Sequence, residues 1–371
     1  MKYKMKIFFM WISNEKESLW IYAKNLFESL KTKIDVVDIR DKNTETSRLK
    51  TMISQFTTNI LPHKIKDFNK KDDVILYSHS SFILSPLRNL KRSIVVVHDL
   101  VLFDDEYYEW RPIFIKLLKY WYKILWKLLY KRMLKKSLWI VAISEATKED
   151  ILKKFWKSLN NKIKVIYNWV DLSLFKPAKW KEIPNNLKDD YLCYIWSEMP
   201  RKNLKNIIKA FSLIKKEYPN LKLIKAPKDN SDNRIKTLEY IKESKLEIWK
   251  DIILINEFLP FEKLVELYQY SKVFIFPSIK EGFWFPIIEA EACWVPVITT
   301  NYNPMMELVP YKDMTVDPQN PQDIANKTLK ILRDDGLRKD MIEEWISNSD
   351  NFTWENTANN FKIYIMELVK K

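Results

Sequence analysis

Residues 273–300 read VFIFPSIKEGFWFPIIEAEACWVPVITT and contain a strand, a loop, a helix and a second strand in succession. The apolar, β-branched and aromatic run 273–276 is typical of a buried strand. Pro286 suits the first turn of a helix that the pattern continues to Cys293, and the run 297–300 predicts the next strand. Two buried strands joined by a helix form a unit of a parallel sheet, so this stretch predicts an α/β protein.

The same alternation of short apolar runs and helical patterns extends over most of the chain. Before residue 170 the runs predict strands at 5–12, 34–39, 74–77, 93–98, 139–143 and 163–167. After a polar stretch that contains two prolines, further strands are predicted at 191–195, 221–224, 252–255, 273–276, 297–300 and 314–316. Helices are predicted between them, notably at 204–216, 262–270 and 286–293.

This pattern predicts two doubly wound Rossmann-like domains that face each other across a cleft, with ligands at the carboxyl ends of the strands. We expect an N-terminal domain at 1–172 and a C-terminal domain at 173–352. The last helix, 353–371, is expected to cross back to the first domain. A chain of 371 residues with 47% hydrophobic and 30% charged residues is long enough for two such cores.

Cysteine usage and the N-terminus indicate the compartment. Cys193 and Cys293 form neither a disulfide framework nor a metal-ligand spacing, which favours a reducing compartment. The apolar run 7–12 is too short for a signal peptide, and every long apolar window carries lysines, so no membrane span is expected. A cytoplasmic protein is predicted.

The net charge of +15 predicts an anionic partner. Residues 111–136 hold nine basic residues and no acidic one, with lysines at helical spacing at 116, 119, 123, 127, 131 and 135. Such a basic amphipathic helix is a candidate for lying on an anionic membrane surface, which would make the protein peripheral on the inner face of the plasma membrane. The alternative is the solvated face of an ordinary helix. A nucleic-acid partner is not expected, because no binding module is recognisable.

Glycine and tryptophan usage is anomalous. Globular chains contain about 7% glycine, yet this chain has two glycines and fifteen tryptophans. Trp169, Trp196 and Trp294 follow apparent strands or a helix, where turns favour a residue without Cβ. We interpret most of the tryptophans as glycines encoded by UGA in an organism with an alternative genetic code, and Trp354 as genuine. TGG codons in the gene would instead establish a protein that is truly rich in tryptophan.

Two pairs of charged residues carry candidate chemistry. Glu281, in a loop, and Glu289, in the helix after it, flank a helix N-terminus, whose unpaired N–H groups suit an anion or a sugar hydroxyl. Arg201 and Lys202 precede another helix, and two cations at the positive end of a helix suit a diphosphate. Each pair, taken alone, is also typical of solvated surface charge.

With their surroundings, these residues resemble glycosyltransferase family 4. If positions 284 and 294 are glycine, residues 276–300 resemble the C-terminal signature of that family, with a serine, a glutamate pair around EGFG-P and an AC-G-PV-IT turn. Residues 195–204, IWSEMPRKNL, resemble the family's G-x-x-x-PRKN motif. The segments HDL at 98–100 and ISEATK at 143–148 resemble further family motifs.

The resemblance implies a role for each matching residue. On the donor side, Glu289 would hold the ribose, Arg201 and Lys202 would neutralise the leaving diphosphate, and the transferred sugar would meet Glu281 with Gly282, Phe283 and Trp284. On the acceptor side it implies Trp11, His98, Asp99 and Ser144. Arg201, Lys202, Glu281 and His98 are the residues expected to be catalytic. A structural role at a strand end is the alternative for His98, and a helix N-cap is the alternative for Ser144.

The resemblance therefore implies a GT-B fold and a hexosyltransferase, with 1–172 as the acceptor-side domain and 173–352 as the nucleotide-sugar-binding domain. The expected reaction moves a sugar, with retention and without a metal ion or other cofactor, from a GDP- or UDP-linked donor to a glycan or glycolipid acceptor. Mannose transfer in cell-envelope polysaccharide synthesis is the expected setting. The alternatives are a nucleotide-sugar 2-epimerase, a catalytically dead homologue, and a basic protein that binds membranes or nucleic acid without catalysis.

Overall fold

The computed structural model describes residues 6–11, 18–40, 73–78, 90–100, 103, 113–178, 188–226, 233–257, 259–281 and 285–369. The chain divides into two compact units. The first comprises Met1–Asn168 and Trp354–Lys371, and the second comprises Trp169–Thr353. The last helix is therefore part of the first unit, although 185 residues of the second unit separate the two segments in sequence.

The first unit is built on a parallel sheet with the strand order β2-β1-β3-β4-β5-β6. Strands β1 to β6 are Ile7–Trp11, Val36–Arg40, Val74–Tyr77, Ser93–Val97, Trp139–Ala142 and Ile163–Val165. Every residue of β3 and β4 is buried, as expected for central strands that are covered on both faces. The order confirms a doubly wound topology, and its winding direction changes between β1 and β3.

Helices α1 to α3 of this unit are Ser18–Lys31, Ile113–Lys136 and Glu145–Lys154. The C-terminal helix, Trp354–Val369, packs against α1. The ring of its Tyr364 lies 5.2 Å from the ring of Trp139, and the hydroxyl of Thr357 donates to the carbonyl of Tyr167 at 3.0 Å. These contacts attach the C-terminal helix to the strands β5 and β6 and the residues that follow them.

Helix α2 is the predicted basic helix. In its second half, Tyr130, Met133 and Leu134 are buried in the core of the first unit, whereas Leu125 and Leu128 are 48% and 58% exposed. Lys127, Lys131 and Lys135 are interspersed among these buried and exposed apolar residues, at intervals of four positions. Among the described residues, no helix combines the length and the apolar character that crossing a membrane requires.

The second unit has a five-stranded parallel sheet with the order β11-β10-β7-β8-β9. Strands β7 to β11 are Tyr191–Ile195, Lys222–Ala226, Ile252–Leu254, Val273–Phe276 and Val297–Thr299. Helices α4 to α10 are Leu204–Ile214, Asn233–Glu243, Phe261–Gln269, Phe285–Ala292, Met305–Leu308, Pro321–Arg333 and Asp335–Asn348. The chain starts at the central β7, adds β8 and β9 on one side and then β10 and β11 on the other, so the topological switch point lies between β7 and β10.

One predicted strand is wrong. Residues 314–316 form a single parallel bridge between Val316 and Thr300, preceded by a 3-10 turn. The ladder does not continue, because the backbone N–H of Asp317 donates to the side chain of Asp323 and the next residue, Pro318, has no N–H.

Two tryptophans have a backbone conformation that is unusual for their residue type. Trp249 has φ 71° and Trp294 has φ 63°, in the left-handed region where glycine is favoured. Their side chains are 66% and 46% exposed. Trp345, in contrast, is buried in α10 with its ring stacked on Phe352. The glycine interpretation stays a prediction. The backbone at 249 and 294 favours glycine, whereas the indole at 345 is buried and stacked on another ring.

Replacing Trp249 and Trp294 together by glycine is expected to stabilise the protein. A left-handed non-glycine residue costs about 1–2 kcal/mol, of which the greater entropy of glycine in the unfolded chain offsets a part, leaving a gain of roughly 1–2 kcal/mol for the pair. Thermal unfolding should then show a Tm raised by about 2–8 °C.

Trp345→Gly is the matched contrast for this measurement. It removes a buried aromatic ring from a helix, so we expect a loss of about 3–5 kcal/mol. A lower Tm for the double variant at 249 and 294 would contradict the interpretation of these two positions.

Candidate functional site

The switch point of the second unit holds the two predicted motifs. The strand β7 leads into a 3-10 turn of Pro200–Lys202, and β10 leads into the loop that contains Glu281. Because the two strands are parallel neighbours, their carboxyl ends open onto the same edge of the sheet, where α/β sheets bind ligands.

Glu281 forms the centre of this site. Its Oε1 accepts hydrogen bonds from Lys202 Nζ at 2.6 Å and from Ser278 Oγ at 2.6 Å, and its Oε2 accepts one from Arg201 Nη1 at 2.8 Å. The side chains of Lys202 and Glu281 are 0% and 5% exposed, whereas that of Arg201 is 32% exposed. Two cations therefore meet one carboxylate, and a positive charge remains in excess.

Lys202 is also held by aromatic rings. Its Nζ lies 5.0 Å from the ring centroid of Trp196 and 5.6 Å from that of Phe276, which are cation–π distances. Such a desolvated ammonium group interacts strongly with any anion that reaches it.

Backbone contacts tie the two loops together. The N–H of Ile279 donates to the carbonyl of Arg201 at 2.8 Å, and the hydroxyl of Ser278 donates to the same carbonyl at 2.9 Å. Buried Asn203, with φ 64°, donates through Nδ2 to the carbonyls of Pro277 and Pro318 at 2.9 and 2.5 Å. The positions of the two cations are therefore fixed by the loop after β10.

Glu289 lies in α7, as predicted. Its Oε2 accepts a hydrogen bond at 2.9 Å from the hydroxyl of Tyr268, which is completely buried. Burial raises the pKa of Glu289 to about 7, and the hydrogen bond from Tyr268 acts in the opposite direction. The carboxyl group therefore titrates near neutral pH, and only its ionised form accepts hydrogen bonds with both oxygens.

Tyr268→Phe is expected to change the pH dependence of nucleotide binding. If Glu289 accepts hydrogen bonds from the ribose, affinity for a nucleoside diphosphate should fall as the pH drops below about 7, by up to tenfold per pH unit. The variant lacks the hydrogen bond that favours the ionised form, so its midpoint should move to higher pH. Calorimetric titration with UDP and GDP between pH 5.5 and about 8.5 measures this shift.

Tyr191→Phe is the matched control, because it also removes a buried hydroxyl in the second unit. That hydroxyl donates to the backbone carbonyl of Leu267 rather than to Glu289. Equal pH profiles for the two variants would rule out the role of Tyr268.

The first unit brings His98 together with three neighbours. His98 is buried directly after β4, and its Nε2 lies 2.9 Å from the carbonyl of Ser78, which only accepts, so Nε2 carries the proton. The ring of Tyr22 meets the imidazole edge-on at 4.6 Å. Burial lowers the pKa of His98, and its hydrogen bond to Ser78 and the charge of Asp99 oppose this. Burial therefore favours the neutral imidazole.

The other acceptor-side residues have varied positions. Ser144 is the N-cap of α3, since its Oγ accepts from the N–H of Thr147 at 3.0 Å, and Thr147 Oγ1 in turn donates to the carbonyl of His98. Asp99 is exposed beside His98. Trp11 is the last residue of β1, and its side chain lies outside the described residues, as do Gly282, Phe283 and Trp284 entirely.

Several residues of these sites were missed in the sequence. Asn203 follows the cations directly, and its tolerance of left-handed backbone could have been noticed, since asparagine visits that region more than most residues. Tyr268, Tyr22 and Ser78 carry no local signal, because each reaches its partner only through packing of separate elements.

Comparison with known families covers most of the chain. Residues 20–174 match the model described as Glycosyltransferase Family 4, and residues 176–346 match the model described as Glycosyl transferases group 1. The boundary between the two matches lies within a few residues of the division between the two units.

Individual proteins show the same similarity. The chain is 28% identical over 177 residues to the serotype-specific mannosyltransferase WbdA of Escherichia coli, covering 47% of this chain and 21% of WbdA. It is 26% identical over 333 residues to the O-antigen chain mannosyltransferase RfbU of Salmonella typhimurium, covering 85% of each. The chain thus spans only about a fifth of the length of WbdA.

Among solved structures, Anabaena HepE in complex with UDP and glucose has a TM-score of 0.70 with 15% identity. The match covers 98% of this chain and all of that one. At this identity the likeness concerns the fold.

Proposed function

Since the chain belongs to the GT-B glycosyltransferases of the family 4 type, we propose that it transfers a hexose from a nucleoside diphosphate sugar to a glycan or glycolipid acceptor. Mannose is the first sugar to test, because WbdA and RfbU are both named mannosyltransferases. The donor is linked to GDP or UDP, and the setting is cell-envelope polysaccharide synthesis. HepE, a structural neighbour, was solved with UDP.

One observation carries this proposal, namely the hydrogen-bonded cluster of Arg201, Lys202 and Glu281 at the switch point of the second unit. Two cations fixed by neighbouring loops suit a diphosphate, and the carboxylate suits the hydroxyls of a sugar. A basic surface patch without such fixation would support ion binding but no defined reaction geometry.

The proposed mechanism is transfer with retention at the anomeric carbon. As the bond between this carbon and the diphosphate breaks, its electron pair stays on the phosphate oxygen, where negative charge grows. Arg201 and Lys202 stabilise that charge, which is the contribution that a divalent cation makes in other transferases. The acceptor hydroxyl oxygen forms the new bond on the face that the diphosphate leaves, and its proton passes to the departing phosphate oxygen. His98, in the first unit, is proposed to contact the acceptor or the transferred sugar.

The test is a transfer assay with GDP- and UDP-linked hexoses and a detergent-dispersed glycolipid acceptor. The expected result is a product heavier by one hexose, with the anomeric configuration of the donor by NMR and an unchanged rate in EDTA. A loss of activity in EDTA would overturn the metal-free mechanism.

Two other outcomes would support different functions. Isomerised nucleotide sugar without transfer would favour a 2-epimerase. An absence of thermal stabilisation by every nucleoside diphosphate would favour a catalytically dead homologue.

We further propose that α2 lies on an anionic membrane surface, where the acceptor lipid would be found. The half-exposed Leu125 and Leu128 share the second half of α2 with the exposed Lys127 and Lys135, and such a mixed surface suits lipid headgroups and the acyl boundary. Binding to phosphatidylglycerol vesicles that weakens with salt, and is absent with phosphatidylcholine, is the expected result. Equal binding to both lipids would contradict it, and salt-sensitive DNA binding without nucleotide affinity would favour a nucleic-acid partner.

A further inference from the structure

A second charged cluster lies at the same edge of the second sheet. The Oε1 of Glu198 is 2.9 Å from Lys225 Nζ and 2.8 Å from Arg234 Nη2. The side chains of Glu198 and Lys225 are 0% exposed, and that of Arg234 is 18% exposed. None of these residues belongs to the site around Glu281.

Stability alone does not account for this cluster. Lys225 stands within the buried strand β8, whose neighbours Ile224 and Ala226 are apolar. Removing charges from water costs free energy that their mutual attraction repays only in part, and apolar residues of similar volume often stabilise a fold equally well. A lysine, a glutamate and an arginine gathered here therefore point to an electrostatic role.

The position of the cluster indicates what that role is. Glu198 lies in the loop after β7, two residues before the turn Pro200–Lys202 that carries the donor-side cations. Lys225 pairs in register with Tyr194 on the adjacent β7, and Arg234 is the second residue of α5, which follows β8 in the chain. All three residues therefore belong to segments at or beside the carboxyl ends of β7 and β8.

The charge balance and the hydrogen bonding of the two clusters both favour an anionic ligand. The two clusters together contain four cations, at 201, 202, 225 and 234, and two carboxylates, so two positive charges are in excess. The Nε of Arg234 is buried and has no hydrogen-bond partner among the described residues. A buried guanidinium donor without an acceptor costs free energy, which an anionic ligand oxygen would offset.

We propose that Arg234 is a further donor-binding residue, which Glu198 and Lys225 hold in place so that its guanidinium donates to a diphosphate oxygen of the nucleotide sugar. This inference rests on the proposed function and deepens it. Glu198 and Lys225 are positioning residues, because their charged groups face each other rather than the ligand. The cluster extends the anion-binding surface from the end of β7 to the end of β8.

The experiment is calorimetric titration of the full chain with UDP, GDP, uridine and guanosine. Arg234→Gln should weaken binding of the nucleoside diphosphate by about tenfold or more, the usual scale for a hydrogen bond to a charged group, and leave binding of the uncharged nucleosides unchanged. Arg234→Lys, which keeps the charge and loses the planar fork, should recover part of the affinity. Arg333→Gln is the matched control, since this exposed arginine pairs with Glu217 on the surface.

The outcomes separate this inference from the proposed function. If Arg234→Gln binds the diphosphates within twofold of the unsubstituted protein while Lys202→Met does not, Arg234 is structural and the donor site stands without it. If the unsubstituted protein binds no nucleoside diphosphate, the proposed function is overturned and this inference with it. An equal loss for nucleosides and diphosphates would also overturn it, since that pattern indicates a distorted site, and a Tm measurement on each variant identifies misfolding.

Discussion

Lys202→Met is expected to lower the turnover of sugar transfer by about 10²- to 10³-fold, the scale seen when one preorganised transition-state donor is removed. Lys202 Nζ is buried, lies at cation–π distance from two aromatic rings and is hydrogen-bonded to Glu281, so its charge is poorly screened by water. The diphosphate gains negative charge as it leaves, and the lost ammonium would have stabilised that charge. Methionine fills a similar volume, and Glu281 keeps its contacts with Arg201 and Ser278, so the fold should persist.

Initial rates with saturating donor measure this effect. Lys209→Met is the control. Lys209 lies on the exposed face of α4, so this substitution removes the same charge outside the site. We expect the control to retain the activity of the unsubstituted protein. Unchanged turnover in Lys202→Met would remove Lys202 from the catalytic residues and leave the diphosphate to other cations.

Glu281→Gln is expected to destabilise the second unit, slow transfer and strengthen binding of the free nucleoside diphosphate. Removing one partner of a buried ion pair leaves an uncompensated charge, which costs about 3–5 kcal/mol and here corresponds to a Tm lower by roughly 6–20 °C. The same substitution frees Arg201 and Lys202 from their internal anion. A bound diphosphate should therefore raise the Tm of the variant more than that of the unsubstituted protein.

Thermal unfolding with and without UDP or GDP tests both parts of this prediction. Glu262→Gln in α6 is the control, since Glu262 is exposed and lies outside the cluster. A variant that unfolds at the original temperature and gains no more from the nucleotide would show that Glu281 does not compete for the two cations.

The sequence predicted the strands well because buried parallel strands are continuous apolar runs that need no tertiary information to recognise. It failed at 314–316, a short run in which two of three residues are apolar, because the residue after it is engaged by Asp323 and the next is proline. The pairing partner and the competing side chain come from other segments, so the end of a sheet is decided by packing.

The candidate site was predictable to a similar degree. Arg201, Lys202, Glu281 and Glu289 were found because each lies within a short motif at a strand end or a helix start. That Glu281 receives both cations, and that Tyr268 reaches Glu289, involves residues between 21 and 80 positions apart in the chain. Sequence periodicity carries no information about contacts between residues so far apart in the chain.

The sequence by itself determined the alternation of strands and helices, the presence of two Rossmann-like domains and the identity of the charged residues, because these depend on local composition and spacing. Only the tertiary structure decided which charges share a carboxylate, which of them are buried, and that Lys225 and Arg234 meet Glu198 beside the first cluster. The physical reason is that the strength of an ion pair depends on distance and exclusion of water, and both are set by the order of strands in the sheet.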